Sequence, residues 1–179
     1  MILLMGLPGS GKGTQGKMLA DHHNLHLVSM GEIIRMYVTG ERREQMLAGE
    51  LLGDEEVIAI LERVLDSMPD DTEYVLDGFP RTVTQAEWLL KRLTTKGSKI
   101  RCVIHLTASA DAVKARLHAR GRMDDKDEVI EARFREYERL TRPLLDWYNE
   151  HDVRICNVNA EQSPDKVHEE IMRVLEVSD

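Results

Sequence analysis

The stretch "GLPGSGKGTQ" (Gly6–Gln15) sets glycines around a lysine directly after a short apolar run, Ile2–Met5. It fits the pattern Gly-x-x-x-x-Gly-Lys of a phosphate-binding loop. The glycines let backbone N–H groups turn inward around phosphate oxygens. The helix N-terminus that follows adds a positive field, and Lys12 reaches the outer phosphates. The residue after Lys12 is Gly13, and the hydroxyl comes one place later, at Thr14. A glycine-rich turn with no ligand is the competing reading; the strand–loop–helix setting favours phosphate.

Three other stretches carry comparable chemistry. "YVLDGFPR" (Tyr74–Arg81) ends a buried strand on a carboxylate. Asp77 is poorly placed for solvation there and suits a magnesium ion held through water, against the alternative of a cap on the next turn. Arg81, just beyond, points into the same crevice, because ligands of such sheets bind at the carboxyl ends of the strands. In "VSMGEIIR" (Val28–Arg35), Ser29 and Glu32 are spaced as a capping box. Arg35, taken alone, reads as a solvated charge. "HARGRMDD" (His118–Asp125) crowds positive charge into a chain of net charge −8. Arg116 and Arg120 stand four apart on one helix face, and like charges at that spacing repel by roughly 0.2–0.5 kcal/mol. An anion between them turns that repulsion into attraction, and Asp124 and Asp125 can pair with and orient the arginines. The bland alternative is a solvated polar turn.

The elements that position these groups alternate. Apolar runs at Ile2–Met5, Leu25–Val28, Tyr74–Leu76, Ile100–Leu106 and Val153–Val158 read as strands. Between them lie helical segments at Lys12–His23, Gly31–Val38, Glu41–Ala48, Asp54–Ser67, Thr82–Thr95, Ala110–Ala119 and Lys126–Glu150, the last with Pro143 expected to kink it. Ser163-Pro-Asp starts a final helix with a cap residue and a proline at its first position. Short apolar strands alternating with helices predict an α/β fold: a three-layer arrangement with a five-stranded parallel sheet flanked by helices. Residues 1–179 fit a single domain.

Charge and composition exclude some classes. A net charge of −8 argues against a nucleic-acid polymer as partner, since phosphate backbones are bound mainly by Lys and Arg. No apolar run approaches the roughly 20 residues of a membrane span, so no membrane partner is expected. Cys102 and Cys156 lie in apolar runs without metal-ligand spacing and read as reduced core residues of a cytoplasmic protein.

Taken together, the chain resembles the adenylate kinase family of nucleoside monophosphate kinases. The resemblance rests on Gly6–Gln15 with its shifted threonine, on Asp77–Arg81 followed by Gln85, and on Arg35 after the second strand. It continues through Arg116, Arg120, Arg122-Met-Asp-Asp125, Arg133, "YERLTRPLLDWY" and "VNAEQS", and so covers nearly the whole chain. It implies a phosphotransferase moving the terminal phosphoryl group of MgATP to AMP to give two ADP, with a UMP/CMP kinase or a broad monophosphate kinase as the alternative. Lys12, Arg35, Arg81, Arg122 and Arg133 would be the catalytic cations. The donor would be held by Gly9, Ser10, Gly11, Lys12, Gly13 and Thr14, with Arg116 on its base, Arg120 on its phosphates and backbone near Gln162 beside the base. The acceptor would be lined by Met30, Glu50, Leu51, Leu52, Gly78, Phe79 and Pro80, with Gln85 hydrogen-bonding its base and Arg35, Arg81, Arg122 and Arg133 around its phosphate. Residues 29–50 would form the acceptor-binding insertion and 116–125 a vestigial lid.

Two departures stand out. Family members usually place a lid, sometimes carrying zinc-binding cysteines, where only Gly121 separates Arg120 from Arg122. No zinc is therefore expected, and magnesium would arrive with ATP. Met30 stands where adenylate kinases commonly carry threonine beside the acceptor base, which leaves Gln85 to favour adenine. A nucleotide-dependent switch is a reading of another class, but it would carry a guanine-reading Asn-Lys-x-Asp, which is absent here. A degenerate kinase serving as a scaffold is a second. The sequence leaves monomer and homo-oligomer equally open.

Overall fold

A computed structural model describes residues 1–23, 25–40, 44, 52–69, 72–123 and 125–176. Five strands form one parallel sheet: β1 (Ile2–Gly6), β2 (His26–Ser29), β3 (Tyr74–Asp77), β4 (Cys102–Thr107) and β5 (Ile155–Asn159), in the order β2-β3-β1-β4-β5. The register sets Leu3 beside Leu76 and Val103, and Ile104 beside Cys156. β1 is buried on both faces, so its side chains alternate between two cores. Leu3 and Met5 enter a core with Phe79, Leu89 and Tyr148; Ile2 and Leu4 enter one with Leu19, Val158 and Ile171. Cys102 and Cys156 lie in the second core as free thiols, and burial pushes the Cys102 thiol up to about 12.

The helices are α1 (Lys12–His23), α2 (Met30–Tyr37), α3 (Asp54–Asp66), α4 (Val83–Thr95), α5 (Ala110–Arg120), α6 (Asp127–Glu136), α7 (Pro143–Glu150) and α8 (Pro164–Glu176). Among the described residues, none is long and apolar enough to cross a membrane. The expected helical piece at Glu41–Ala48 lies mostly outside the described residues. Thr82 and Ser109 cap α4 and α5 by accepting from the N–H groups of Gln85 and Ala112. Gly121, in the left-handed region at φ 64°, ends α5 and donates its N–H to the Leu117 carbonyl at 3.2 Å.

Two local expectations are corrected. The Ser29–Glu32 capping box does not form: Ser29 precedes α2 without a side-chain cap bond, and its hydroxyl turns to Asp77 Oδ2 at 3.5 Å. The carboxylate half of such a box forms at α3, where the Gly53 N–H donates to Glu56 Oε2 at 3.1 Å. The long helix expected over Lys126–Glu150 is divided by a π-helical turn at Tyr137–Thr141. Pro143 has no N–H to give to the preceding turn. The wider turn lets Arg142 N–H reach the Tyr137 carbonyl at 2.8 Å, five residues back, and α7 restarts with the proline at its first position.

On one sheet face α1 packs against α8. The seam is polar as well as apolar. Gln15 Nε2 donates to the Pro164 carbonyl at 2.8 Å, and His22 Nδ1 lies 2.6 Å from His168 Nε2. Burial first, then the neighbouring His22 and His23, hold the buried His168 imidazole below the ordinary value of 6.5. The unfolded chain therefore takes up this proton first as pH falls, and stability should drop as pH moves below the ordinary histidine range. We expect the urea midpoint to fall between about pH 7.5 and about pH 5.5, and to fall less in His168→Gln. Parallel midpoint-versus-pH curves for the two proteins would contradict this.

Candidate active site

The carboxyl ends of the five strands open into a cleft of about 1040 Å³. Single small-molecule sites occupy roughly 300–1,000 Å³, so this cleft has room for two ligands. Its floor is the loop after β1. Gly9 there has φ 90°, and a Cβ on it would lie 2.8 Å from Leu117 Cγ and 2.9 Å from the Val113 carbonyl. Only glycine allows α5 to approach that closely. Ser10 is buried beneath the loop, while Gly13 and Thr14 are exposed at the start of α1, facing the cleft.

Lys12 folds back over the loop and donates to the Gly6 and Leu7 carbonyls at 2.8 and 2.9 Å. Desolvation lowers its pKa to about 8, against the raising effect of Asp77 and with a further lowering by Arg81 and Arg120. A bound polyphosphate supplies the anion that restores its charge. Arg81 donates from Nε to the Gly78 carbonyl at 3.0 Å. Burial depresses its pKa, Asp77 raises it, and Arg133 and Arg35 depress it further. These cations thus converge from α1, α2, the end of β3 and α6. Arg35 lies against Gly31, whose Cβ would meet the guanidinium at 3.5 Å.

The segment between α5 and α6 gathers around Asp125. Its carboxylate, 1% exposed, accepts from Arg120 Nε at 2.9 Å and Nη2 at 2.5 Å, and from the Arg122 backbone N–H at 2.9 Å. Burial works against ionisation, but these hydrogen bonds and the Arg120 charge hold the carboxyl below its ordinary value. Asp127 adds an outer tie between α5 and α6, 3.1 Å from Lys114 and 2.8 Å from His118. Asp124 lies outside the described residues.

Gly9, Ser10, Gly11, Lys12, Gly13, Thr14, Arg35, Leu52, Asp77, Gly78, Pro80, Arg81, Gln85, Arg116, Arg120, Arg122, Arg133 and Gln162 all line the cleft. Glu50 and Leu51 lie outside the described residues. Met30 and Phe79 are both buried in the core. Met30 packs under Gly78, and Phe79 meets Trp88 edge-on with ring centroids 5.9 Å apart. Large apolar side chains at these strand ends gain more from the core than from a wet wall. Gln162 turns its amide to the Asn159 carbonyl and the Glu170 carboxylate. Gln85 is buried and engaged at both ends of its amide.

Sequence reasoning missed Asp54, Tyr137 and Thr141, which also line the cleft. Asp54 reads as one of three acids opening a helix, and Tyr137 as part of an apolar stripe. Thr141 donates to the Arg81 carbonyl at 3.1 Å from within the π-helical turn, a shape with no sequence signal beyond Pro143.

Asp77 is the carboxylate that fits a hard cation. It ends β3, and its Oδ2 would lie 3.8 Å from a Cβ on Gly13, so it faces the first turn of α1. Among the described residues, no three His, Cys, Asp or Glu side chains gather to hold a metal ion. One carboxylate beside a phosphate site suits magnesium, which keeps most of its waters.

A parallel sheet with a glycine loop and lysine after β1, a carboxylate ending β3 and converging arginines defines a P-loop phosphotransferase. The sequence model for adenylate kinase matches residues 4–153. Adenylate kinase 1 of a Nostoc species is 36% identical over 180 residues, covering 97% of each chain. The adenylate kinase of Corynebacterium urealyticum is 34% identical over 181 residues, covering 98% of each. That of Chloroherpeton thalassium is 34% identical with 97% of each chain covered, but over 213 aligned positions, so it carries segments with no counterpart here. The chain belongs to the adenylate kinase family.

The Asp125 cluster has a measurable consequence. Asp125→Asn keeps the shape but removes the charge that two arginine segments share, and a hydrogen bond to a charged group contributes about 2 kcal/mol. We expect a loss of that order in urea unfolding at neutral pH. The depressed carboxyl makes the contribution present above the ordinary value of 3.8 and lost as pH falls through the folded pKa. The two proteins should therefore converge in acid; equal stability at neutral pH would show that the cluster is neutral.

Proposed function

We propose that the cleft transfers the terminal phosphoryl group of MgATP reversibly to AMP, giving two ADP. The observation that carries this reading is the convergence of Lys12, Arg35, Arg81, Arg120 and Arg133 on one cleft with room for two ligands. Arg116, Arg120 and the backbone near Gln162 form the donor end. In this reading residues 29–50 would be the acceptor-binding insertion, Leu52, Gly78, Pro80 and Gln85 line the acceptor end, and 116–125 would be the remnant of a lid.

In the mechanism, the backbone N–H groups from Gly9 to Thr14 hold the donor phosphates. Lys12 follows the charge of the moving group, and Arg81, Arg122 and Arg133 surround it from the acceptor side with Arg35. The chemistry is positioning and electrostatic stabilisation, with no covalent intermediate. Asp77 would hold magnesium through water, and the ion would add charge neutralisation at the phosphates. AMP is favoured over UMP and GMP because Gln85 reaches the acceptor end with an amide that complements adenine.

Lys12→Met should leave the fold intact and lower turnover with ATP and AMP by orders of magnitude. Turnover within a few-fold of wild type would remove Lys12 from the mechanism. With Gly121 alone between Arg120 and Arg122, too little chain remains to cover the donor phosphates. We therefore expect measurable phosphate release from ATP without acceptor, and loose choice among ATP, GTP and CTP at saturating AMP. Undetectable hydrolysis with strict ATP preference would contradict this.

A further inference from the structure

The buried Gln85 amide is held at both ends by groups of opposite character. The Arg81 backbone N–H, which can only donate, reaches Oε1 at 2.8 Å. Asp54 Oδ1, which when ionised can only accept, takes a hydrogen from Nε2 at 2.8 Å. The second Asp54 oxygen accepts from Thr82 Oγ1 at 2.9 Å, and Thr82 in turn accepts from the Gln85 backbone N–H at 3.3 Å. Asp54 is thereby tied to the start of α4 by two bonds. It opens α3 on the cleft wall, two residues after the buried Leu52.

A glutamine amide has two hydrogens and two acceptor lone pairs. The protein uses one of each, so one donor on Nε2 and one acceptor on Oε1 remain. That pair matches a base edge presenting an exocyclic amine beside an unprotonated ring nitrogen. Adenine and cytosine have such an edge; guanine and uracil present a carbonyl beside a ring N–H, the reverse pattern. A flipped amide would suit the reverse pattern wherever phosphate and sugar contacts fix the base's orientation. Flipping here would set Oε1 against the Asp54 carboxylate and Nε2 against the Arg81 N–H. Two buried like-with-like contacts would replace two hydrogen bonds.

We propose that Asp54 is a positioning residue that determines base specificity: it pins the Gln85 amide in the orientation that reads amine-bearing bases and blocks the one that reads keto bases. This rests on the acceptor assignment above. Asp54 itself need not touch the nucleotide.

The test is Asp54→Asn, whose amide can face Gln85 with either its oxygen or its nitrogen and so releases the pin. Initial rates are measured over AMP, CMP, UMP and GMP with saturating MgATP. The AMP:UMP and AMP:GMP ratios of kcat/KM should fall at least about fivefold, the value of one hydrogen bond of ordinary strength, with the change carried by the KM of the acceptor. A merely structural role would lower all four rates together. Wild-type preference for AMP with ratios unchanged in D54N overturns the role of Asp54 alone. A wild-type protein that turns over UMP as well as AMP overturns the acceptor assignment itself. Should D54N fail to fold, the side-chain amide hydrogens of Gln85 in the wild-type protein decide by NMR exchange. With AMP bound, both should be protected, one by Asp54 and one by the base; one exchanging at the solvent rate overturns the proposal.

Discussion

Crowded positive charge is the constraint around which this molecule is arranged. Lys12, Arg35, Arg81, Arg120 and Arg133 meet in one cleft, and burial and mutual repulsion lower the pKa values of Lys12 and Arg81. Such a cluster is unfavourable unless the fold holds it and anions balance it. Asp77 is the counterweight on the floor and Asp125 the counterweight at the rim. A polyphosphate completes the balance, which is why charge repulsion in the empty cleft and affinity for nucleotide have one origin. The same field acts on phosphoryl transfer, because charge already oriented needs no reorganisation as the transition state forms.

The parallel sheet makes the cluster possible by delivering one group from each carboxyl end. β1 leads to Lys12, β2 to α2 and Arg35, and β3 to Asp77 and Arg81. β4 leads to α5 with Arg116 and Arg120, and β5 to Gln162. Antiparallel strands would send half of these to the opposite edge. The register is secured from both faces: β1 places Leu3 and Met5 in one core, Ile2 and Leu4 in the other. A slip of one residue would exchange these sets and move every following turn. The residues that fix the site are thus apolar ones well below it.

How far the site could be read from sequence follows from the range of the interactions. The Lys12 loop, the five strands and the proline-started α8 are local patterns, and they stand within a few residues of where the sequence puts them. Asp77 and Arg81 were legible because a strand end fixes what comes next. Ser29 and Glu32 had cap spacing, but Ser29 is drawn toward Asp77, a residue 48 positions away. Met30 and Phe79, which the family resemblance assigns to the acceptor lining, are buried in the core. Asp54 carried no sign of its bond to Gln85, 31 positions on, because acids at a helix start are explained by the helix alone. Each miss is a long-range contact overriding a sound local rule.

The rim is held by a few short contacts. Gly121 stops α5, and the Asp125 carboxylate binds both the Arg120 guanidinium and the Arg122 backbone. Asp127 braces the same turn from outside through Lys114 and His118. A segment tied in this way has little conformational entropy left to lose when nucleotide binds, so less of the binding energy is spent on ordering. The compensation lies in exclusion of water. A hinge that closes can dry the phosphates, and a rim already tied in place has less movement with which to do so. Asp125 is thus the residue through which this rim is held ready for an anion.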